Sequence, residues 1–591
     1  MVNERLDSLR TLIKKEGLDG YIIFTSDEHQ SECIDDYYKF REYISGFTGS
    51  AGTLLVTDKE AYLWTDGRYF IQAENQLKGS GIELVKQGVK GQPTLKEYIL
   101  EWQKSTHTII TIGTDYRTIN IALFNELSLP SVELVDIDLA DVCFQNRPTE
   151  KLGAARILDI AYAGQPASDK LEYIRAMLGE KNYDGFIVSD LSDIAWVLNI
   201  RGNDIRYNPV VKGYLYISKS QCVFFANKCA LEDSLLDYLR KIDVEFQTYD
   251  TFDSFLSAIR GCRIVLDYSI TNAHIYFILN EKNEIVNDKS YIYIPKHIKN
   301  QSEAEAIRKA HFYDGLSVIQ FIYRIKKLVS EGESITEFQA AKLMDDIRLN
   351  NGHCCDLSFD TIAAYGANGA IVHYSPVENS ANLKPSGFLL LDSGGQYEGA
   401  TTDITRTIAL GTLSEKMKRM YTLVLCGMLD LGDVIFAEGY AGNNLDVLAR
   451  QYLWRDFLDY RHATGHGIGA GLNCHEGPCS ISCSKRHDAV PIKAGVVISD
   501  EPGVYIENEF GIRIENQLLC VNRGSSEYGE FLGFEVMTLV PFEMDAIDQG
   551  LLNEHQKELI NTYNETIYTT YEAYLNEDEK RWLYNLTRKL K

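Results

Sequence analysis

Two stretches of this chain echo each other at an offset of 165 residues: EGLDGYIIFTSDEHQ, from Glu16, and KNYDGFIVSDLSDIA, from Lys181. In each, an amphipathic segment runs into Asp-Gly and then into a short β-branched and aromatic run, which predicts a helix, a turn and a strand. The helical segments are LDSLRTLIKKEG and SDKLEYIRAMLGEKN, and Ser168 stands where a helix N-cap is expected. A unit used twice predicts an α/β chain whose first half holds two related modules. Pro148, Gly164 and Pro166 punctuate the stretch between the copies, QNRPTEKLGAARILDIAYAGQPASDK, and mark a first boundary. A second falls in IPKHIKNQSEAEAIRKAHFYDGL, where Ser302 and Glu305 have capping-box spacing ahead of a long amphipathic helix. The expected units are residues 1–150, 151–297 and 298–591.

Composition narrows the functional classes. With 59 Lys+Arg against 84 Asp+Glu the net charge is −25, which argues against nonspecific nucleic-acid binding, since each phosphate contact needs a cation. A 45% hydrophobic, 24% charged chain with 12 Pro is globular rather than disordered. No apolar run approaches the roughly 18 residues of a membrane span, and MVNERLDSLRTLIKK offers helical spacing in place of a signal-peptide core. Twelve Cys without framework spacing predict reduced thiols. The expectation is a soluble, cytoplasmic protein with no membrane partner.

Three stretches of the third unit carry chemistry. LLLDSGGQYEGATTDITRT (389–407) puts Asp392 at the end of an apolar strand and Asp403 on an alternating one, so a hairpin can join the two carboxylates. ATGHGIGAGLNCHEGP (463–478) carries His466 and His475, which with His462 just before it lie within fourteen residues, although the whole chain has only 12 His. Its glycines suit close backbone approach but lack the dinucleotide fingerprint. SDEPGVYIENEFGIRIENQ (499–517) adds Glu501, fixed before Pro502, and Glu515, which shares a strand face with Arg513. Four carboxylates and an imidazole suit a pair of hard or borderline divalent cations.

These stretches resemble the dinuclear-metal site of the pita-bread metallopeptidases, and the whole chain resembles their three-domain, cytosolic-type Xaa-Pro aminopeptidases. The resemblance continues through HQSECI, SGFTGSAGTLLVT and WTDGRYF in the first unit, DIAWVLNIRGNDI in the second, and DLSFDTIAAYGANGAIVHYSP and FLGFEVMTLVPF in the third. It implies two creatinase-like α/β domains before a pita-bread catalytic domain with a helical tail. It also implies metal ligands Asp392, Asp403, His466, Glu501 and Glu515, with Asp403 and Glu515 bridging. The implied metals are two manganese ions, and the residues alone also accept zinc or cobalt. By the same resemblance His373 binds substrate and shuttles a proton, His475 stabilises the oxyanion, and His462 is a further active-site histidine. Arg513 orients carboxylates and counts among the substrate-binding residues with Arg68, which reaches toward substrate from the first domain. The implied reaction is attack of a metal-bridging hydroxide on the Xaa-Pro carbonyl, with Glu501 as base. The implied partners are peptides with Pro at position two and a second subunit in a homodimer.

Ala463, Val504 and Cys474 depart from the family's usual residues without removing a ligand. Cys474, Cys479, Cys483 and His487 have no standard zinc spacing. Length disfavours an Xaa-Pro dipeptidase or a methionine aminopeptidase, and the full ligand set disfavours a creatinase-like enzyme or a metal-free chaperone-type relative.

Overall fold

The computed structural model describes residues 2–483 and 489–590, and the chain divides into two compact units. One comprises residues 1–159 and 165–293, the other residues 160–164 and 294–591.

The first unit holds two six-stranded sheets. Gly20–Phe24, Thr53–Thr57, Ala61–Thr65, Glu83–Lys86, Ile110–Thr114 and Val132–Asp136 lie in the spatial order fourth, third, second, first, fifth, sixth. Gly185–Val188, Gly213–Ser218, Cys222–Ala226, Glu245–Thr248, Arg263–Leu266 and Glu284–Asn287 repeat that order. Pairing senses repeat as well: first with second and second with third antiparallel, all others parallel. The sequence echo is thus a repeated topology, each copy entered by its own helix, Val2–Lys15 or Ala167–Glu180. The strand Gly20–Phe24 is buried on both faces. Tyr21 and Ile23 enter one apolar cluster, Ile22 and Phe24 another, as alternation across a covered sheet requires. Ser168 does not cap its helix. Pro166 precedes the first helical residue with φ −60°, a value preset for helix entry, and the Ser168 hydroxyl turns to Asp169.

The second unit contains the 30-residue helix Gln301–Ser330, whose cap also differs from expectation. Asn300, not Ser302, accepts from the Glu303 N–H, and the Glu303 carboxylate accepts from the Asn300 N–H. Asn is as good a cap as Ser, so the helix starts two residues earlier than the Ser302–Glu305 spacing predicted. Phe388–Ser393 runs antiparallel between Ile362–Tyr365 and Ile404–Ala409. In a second, six-stranded sheet Val497–Asp500 lies between Gly465–Gly467 and Asn516–Ser526. The glycines around His466 allow that crowding: a Cβ at Gly465 would sit 1.9 Å from the Ser499 carbonyl oxygen, and one at Gly467 2.2 Å from that of Glu476. The tail forms the helices Glu554–Tyr571 and Glu577–Leu586, which bury Ile560, Ile567 and Leu583. Among the described residues no helix is long and apolar enough to cross a membrane.

Candidate metal centre

Asp392 ends the apolar strand Phe388–Ser393, with Thr405 opposite it on Ile404–Ala409. Asp403 immediately precedes that second strand. His466 lies at the middle of Gly465–Gly467, Glu501 just beyond Val497–Asp500, and Glu515 just before Asn516–Ser526. Strand ends from both sheets therefore deliver five side chains to one place. Their donor atoms form overlapping trios, Asp392–Asp403–Glu515, His466–Glu501–Glu515 and Asp403–His466–His475, each within 4.8 Å.

Each donor is held from behind. Arg513, fully buried, donates to Asp392 Oδ2 at 2.5 Å and to the Tyr505 hydroxyl at 2.8 Å. Thr405 donates to Glu515 Oε2 at 2.7 Å, and the Cys474 thiol to Asp403 Oδ2 at 3.2 Å. His466 turns Nδ1 to the Gly467 carbonyl, 3.0 Å away, which leaves Nε2 facing Asp403 at 3.6 Å and Glu501 at 3.4 Å. Fixing one ring nitrogen in this way fixes the tautomer and orientation of a ligating imidazole. The Ser499 hydroxyl accepts the His466 N–H and approaches Glu501 at 3.4 Å.

The electrostatics of the cluster call for cations. Burial pushes Asp403 well above the usual carboxylate range, and Glu515, Asp392 and Glu501 push it further. Burial likewise raises Glu501, with Glu515 and Asp392 adding to it, and lifts Glu515 to about 7 with Asp392 adding. Oδ1 of Asp392, Oδ1 of Asp403 and Oε1 of Glu515 are buried without a hydrogen-bond partner. Unpartnered carboxylate oxygens in a site this rich in negative charge fit two divalent cations.

Around these donors stand the histidines. His475 is exposed, its ring 4.1 Å from that of His466. His462 Nε2 pairs with the Tyr505 hydroxyl at 2.8 Å. His373 is half-buried on a loop that Arg513 reaches through the Val372 carbonyl, at 3.4 Å. That loop is fastened by Glu337, which is wholly buried and accepts from the Tyr365 and Ala381 N–H groups, the Asn368 amide and the Tyr374 hydroxyl. Arg68 lies in the other unit, paired with Asp66 at 2.8 Å. Sequence patterns did not point to Glu337, Thr405, Ser499 or Tyr505; the only signal for any of them was proximity to a motif. Cys474 and Cys479 turn to different partners, Asp403 and the carbonyls of Val490 and Pro491, and His487 lies outside the described residues.

A family model described as metallopeptidase family M24 matches residues 305–522, and its C-terminal region matches residues 530–590. Two models of the creatinase/prolidase N-terminal domain match residues 5–141 and 146–303. A probable Xaa-Pro aminopeptidase P from Metarhizium robertsii is 35% identical, covering 99% of this chain and 98% of its own. The chain belongs to the Xaa-Pro aminopeptidase P family. Aminopeptidase P2 of Arabidopsis thaliana is also 35% identical, over 100% of this chain and 89% of its own. An X-prolyl aminopeptidase from Caenorhabditis elegans, described as a cytosolic enzyme with a di-nuclear active site, superposes with a TM-score of 0.94 at 31% identity, covering all of both chains. Creatinase-type N-terminal domains followed by an M24 domain are thus the architecture of this chain.

Proposed function

We propose that this chain is a metal-dependent aminopeptidase that releases the N-terminal residue from peptides with proline at the second position. The observation that carries it is the convergence of Asp392, Asp403, His466, Glu501 and Glu515, with buried oxygens left unpartnered, in a family member aligned over its full length. In this reading Asp392, Asp403, His466, Glu501 and Glu515 would together hold two metals. Two divalent cations bound there supply an activated water nucleophile and a Lewis acid for the carbonyl. Manganese is the assignment, since a donor set dominated by carboxylates suits it.

The chain's own residues do the rest. Glu501 accepts the proton that the nucleophile gives up. His475, on the open side of the cluster, opposes charge on the tetrahedral oxygen, and His373 binds substrate and carries a proton toward the leaving prolyl nitrogen. His462 braces the site through Tyr505, and Arg513 holds Asp392 in place. Arg68 counts among the substrate-binding residues on the strength of the family resemblance. An Xaa-Pro bond is a tertiary amide without N–H, so recognition falls to a pocket for the pyrrolidine ring. The domain division at 1–150, 151–297 and 298–591, a homodimer and a cytoplasmic location belong to the same reading. The two like-ordered sheets and the family resemblance support it.

The test is release of arginine from Arg-Pro-Pro and from Arg-Ala-Ala by chelator-stripped protein, with and without manganese. Manganese-dependent cleavage of the proline peptide alone is expected; cleavage of neither by protein that binds two metals would refute the substrate assignment. His475→Ala is expected to lower kcat by roughly 10²–10³. A change confined to KM would make His475 a binding residue instead.

A further inference from the structure

On the far face of the six-stranded sheet lies a second site. Ser499 and Glu501 turn toward His466, so the intervening Asp500 points the other way. There it joins Asn516, its neighbour across the strands, and Leu518 in lining a cavity of about 150 Å³. The remaining wall is mostly apolar, including Leu429, Phe534 and Phe542.

Asp500 is 1% exposed, and neither of its carboxylate oxygens has a hydrogen-bond partner. A buried carboxylate left in that state is costly. Among the described residues no Lys, Arg or His lines the cavity. The nearby Arg406, stacked over Phe542 at 5.2 Å, directs its donors to the carbonyls of Thr405, Glu515 and Val540 and to Asn516 and Tyr563. The 18-residue helix Glu415–Gly432 ends here, its last residue so close that a Cβ on Gly432 would lie 3.7 Å from Asp500 Oδ2. The carbonyl end of a helix favours a cation. Exposed Asp433, also a lining residue, adds a second carboxylate, itself paired with His555 at 2.7 Å.

We infer that this cavity is a binding site for a small organic ammonium whose apolar body is about the size of a benzene ring and which carries no carboxylate of its own. An apolar cavity of roughly 150 Å³ accommodates benzene. The ammonium supplies the donors and the charge that Asp500 lacks, while a free amino acid is disfavoured because its carboxylate would face Asp500 and Asp433. The site is distinct from the metal centre, although Asp500 is joined to Glu501 by one peptide bond.

The experiment is calorimetric titration of the full-length, manganese-loaded protein with benzylammonium chloride, with sodium benzoate as the anionic control of the same shape. One benzylammonium per chain is expected to bind, undisplaced by excess free proline, and benzoate is expected not to bind. Asp500→Asn removes the charge and is expected to weaken binding by about ten-fold or more. Gly432→Ala provides an independent arm: its backbone is not in the left-handed region, and the added methyl stands between the helix end and the carboxylate. It too is expected to weaken binding. Failure of benzylammonium to bind, displacement by free proline, equal binding of benzoate, or unchanged binding by both variants would overturn the inference. None of these readouts depends on peptidase activity.

Discussion

Asp403 and Glu515 are buried carboxylates that a bound cation would stabilise as anions. Burial acts against the charge on both in the metal-free protein, and the Asp392 carboxylate adds to it at each. Glu515→Gln is therefore expected to raise the Tm of chelator-stripped protein and to lower that of manganese-loaded protein, a sign reversal that differential scanning calorimetry reads directly. An Asp403→Ala variant should keep the fold, lose turnover and bind fewer than two manganese ions by equilibrium dialysis. Full activity would refute the bridging assignment. The Cys474 thiol holds the Asp403 oxygen that faces His466, so Cys474→Ala is expected to weaken manganese binding by about 10–100-fold, the usual effect of removing a partner that orients a ligand. Affinity equal to wild type would reduce the thiol to packing. The motifs around these residues were legible in the sequence because each ligand sits beside glycine, proline or alternating strand residues. The thiol contact was not, because Cys474 and Asp403 are 71 positions apart.

Elements decide how firmly those residues are held. The helix Glu337–Leu349 begins with Glu337, whose carboxylate gathers backbone and side-chain donors from the segment between Tyr365 and Ala381, the segment that carries His373. Truncation leaves those donors unmatched in a buried place, where each costs about 1–3 kcal/mol. Glu337→Ala is expected to destabilise the protein by about 2–4 kcal/mol in urea unfolding and to lower kcat/KM for Arg-Pro-Pro. Glu337→Gln, which keeps one acceptor, should recover part of both. A stability loss with unchanged kcat/KM would show that the loop holds His373 without this anchor. Helix entries followed local chemistry with small displacements: the Asn300–Glu303 box stands two residues before the one the spacing predicted, since two adequate caps lay within one turn of each other.

At the scale of the molecule, ion pairs join the two copies of the first unit. Glu28 from the first copy pairs with Lys212 of the second at 2.9 Å, and His274 of the second copy bonds Asp253 at 3.0 Å and lies 3.9 Å from Asp136 of the first. Burial opposes a charged His274, but hydrogen bonding to Asp136 and Asp253 prevails and lifts it from 6.5 to about 9. The folded value lies above the unfolded one, so the stabilisation is complete below pH 6.5 and is lost as the pH rises through about 9. The unfolding free energy of wild type should therefore exceed that of His274→Asn most at low pH, and the gap should close toward alkaline pH. A gap that stays constant with pH would mean that His274 carries no charge in the fold.

Local periodicity reaches two to four residues along the chain, which is why the repeated helix–turn–strand unit, the glycine-flanked histidine and the alternating strand ending in Glu515 are legible in the amino-acid sequence by itself. Their residue types also dictated the chemistry, because carboxylates beside imidazole suit few ligands other than divalent cations. Tertiary structure alone decided the common sheet order of the two copies, the partner of Arg513 at Asp392, the fastening of the His373 loop by Glu337 and the turn of Asp500 away from the metal centre. Each of these depends on contacts between distant segments or on which side of a sheet becomes covered. Those outcomes follow from how the whole chain buries its apolar surface, and no short window of sequence contains them.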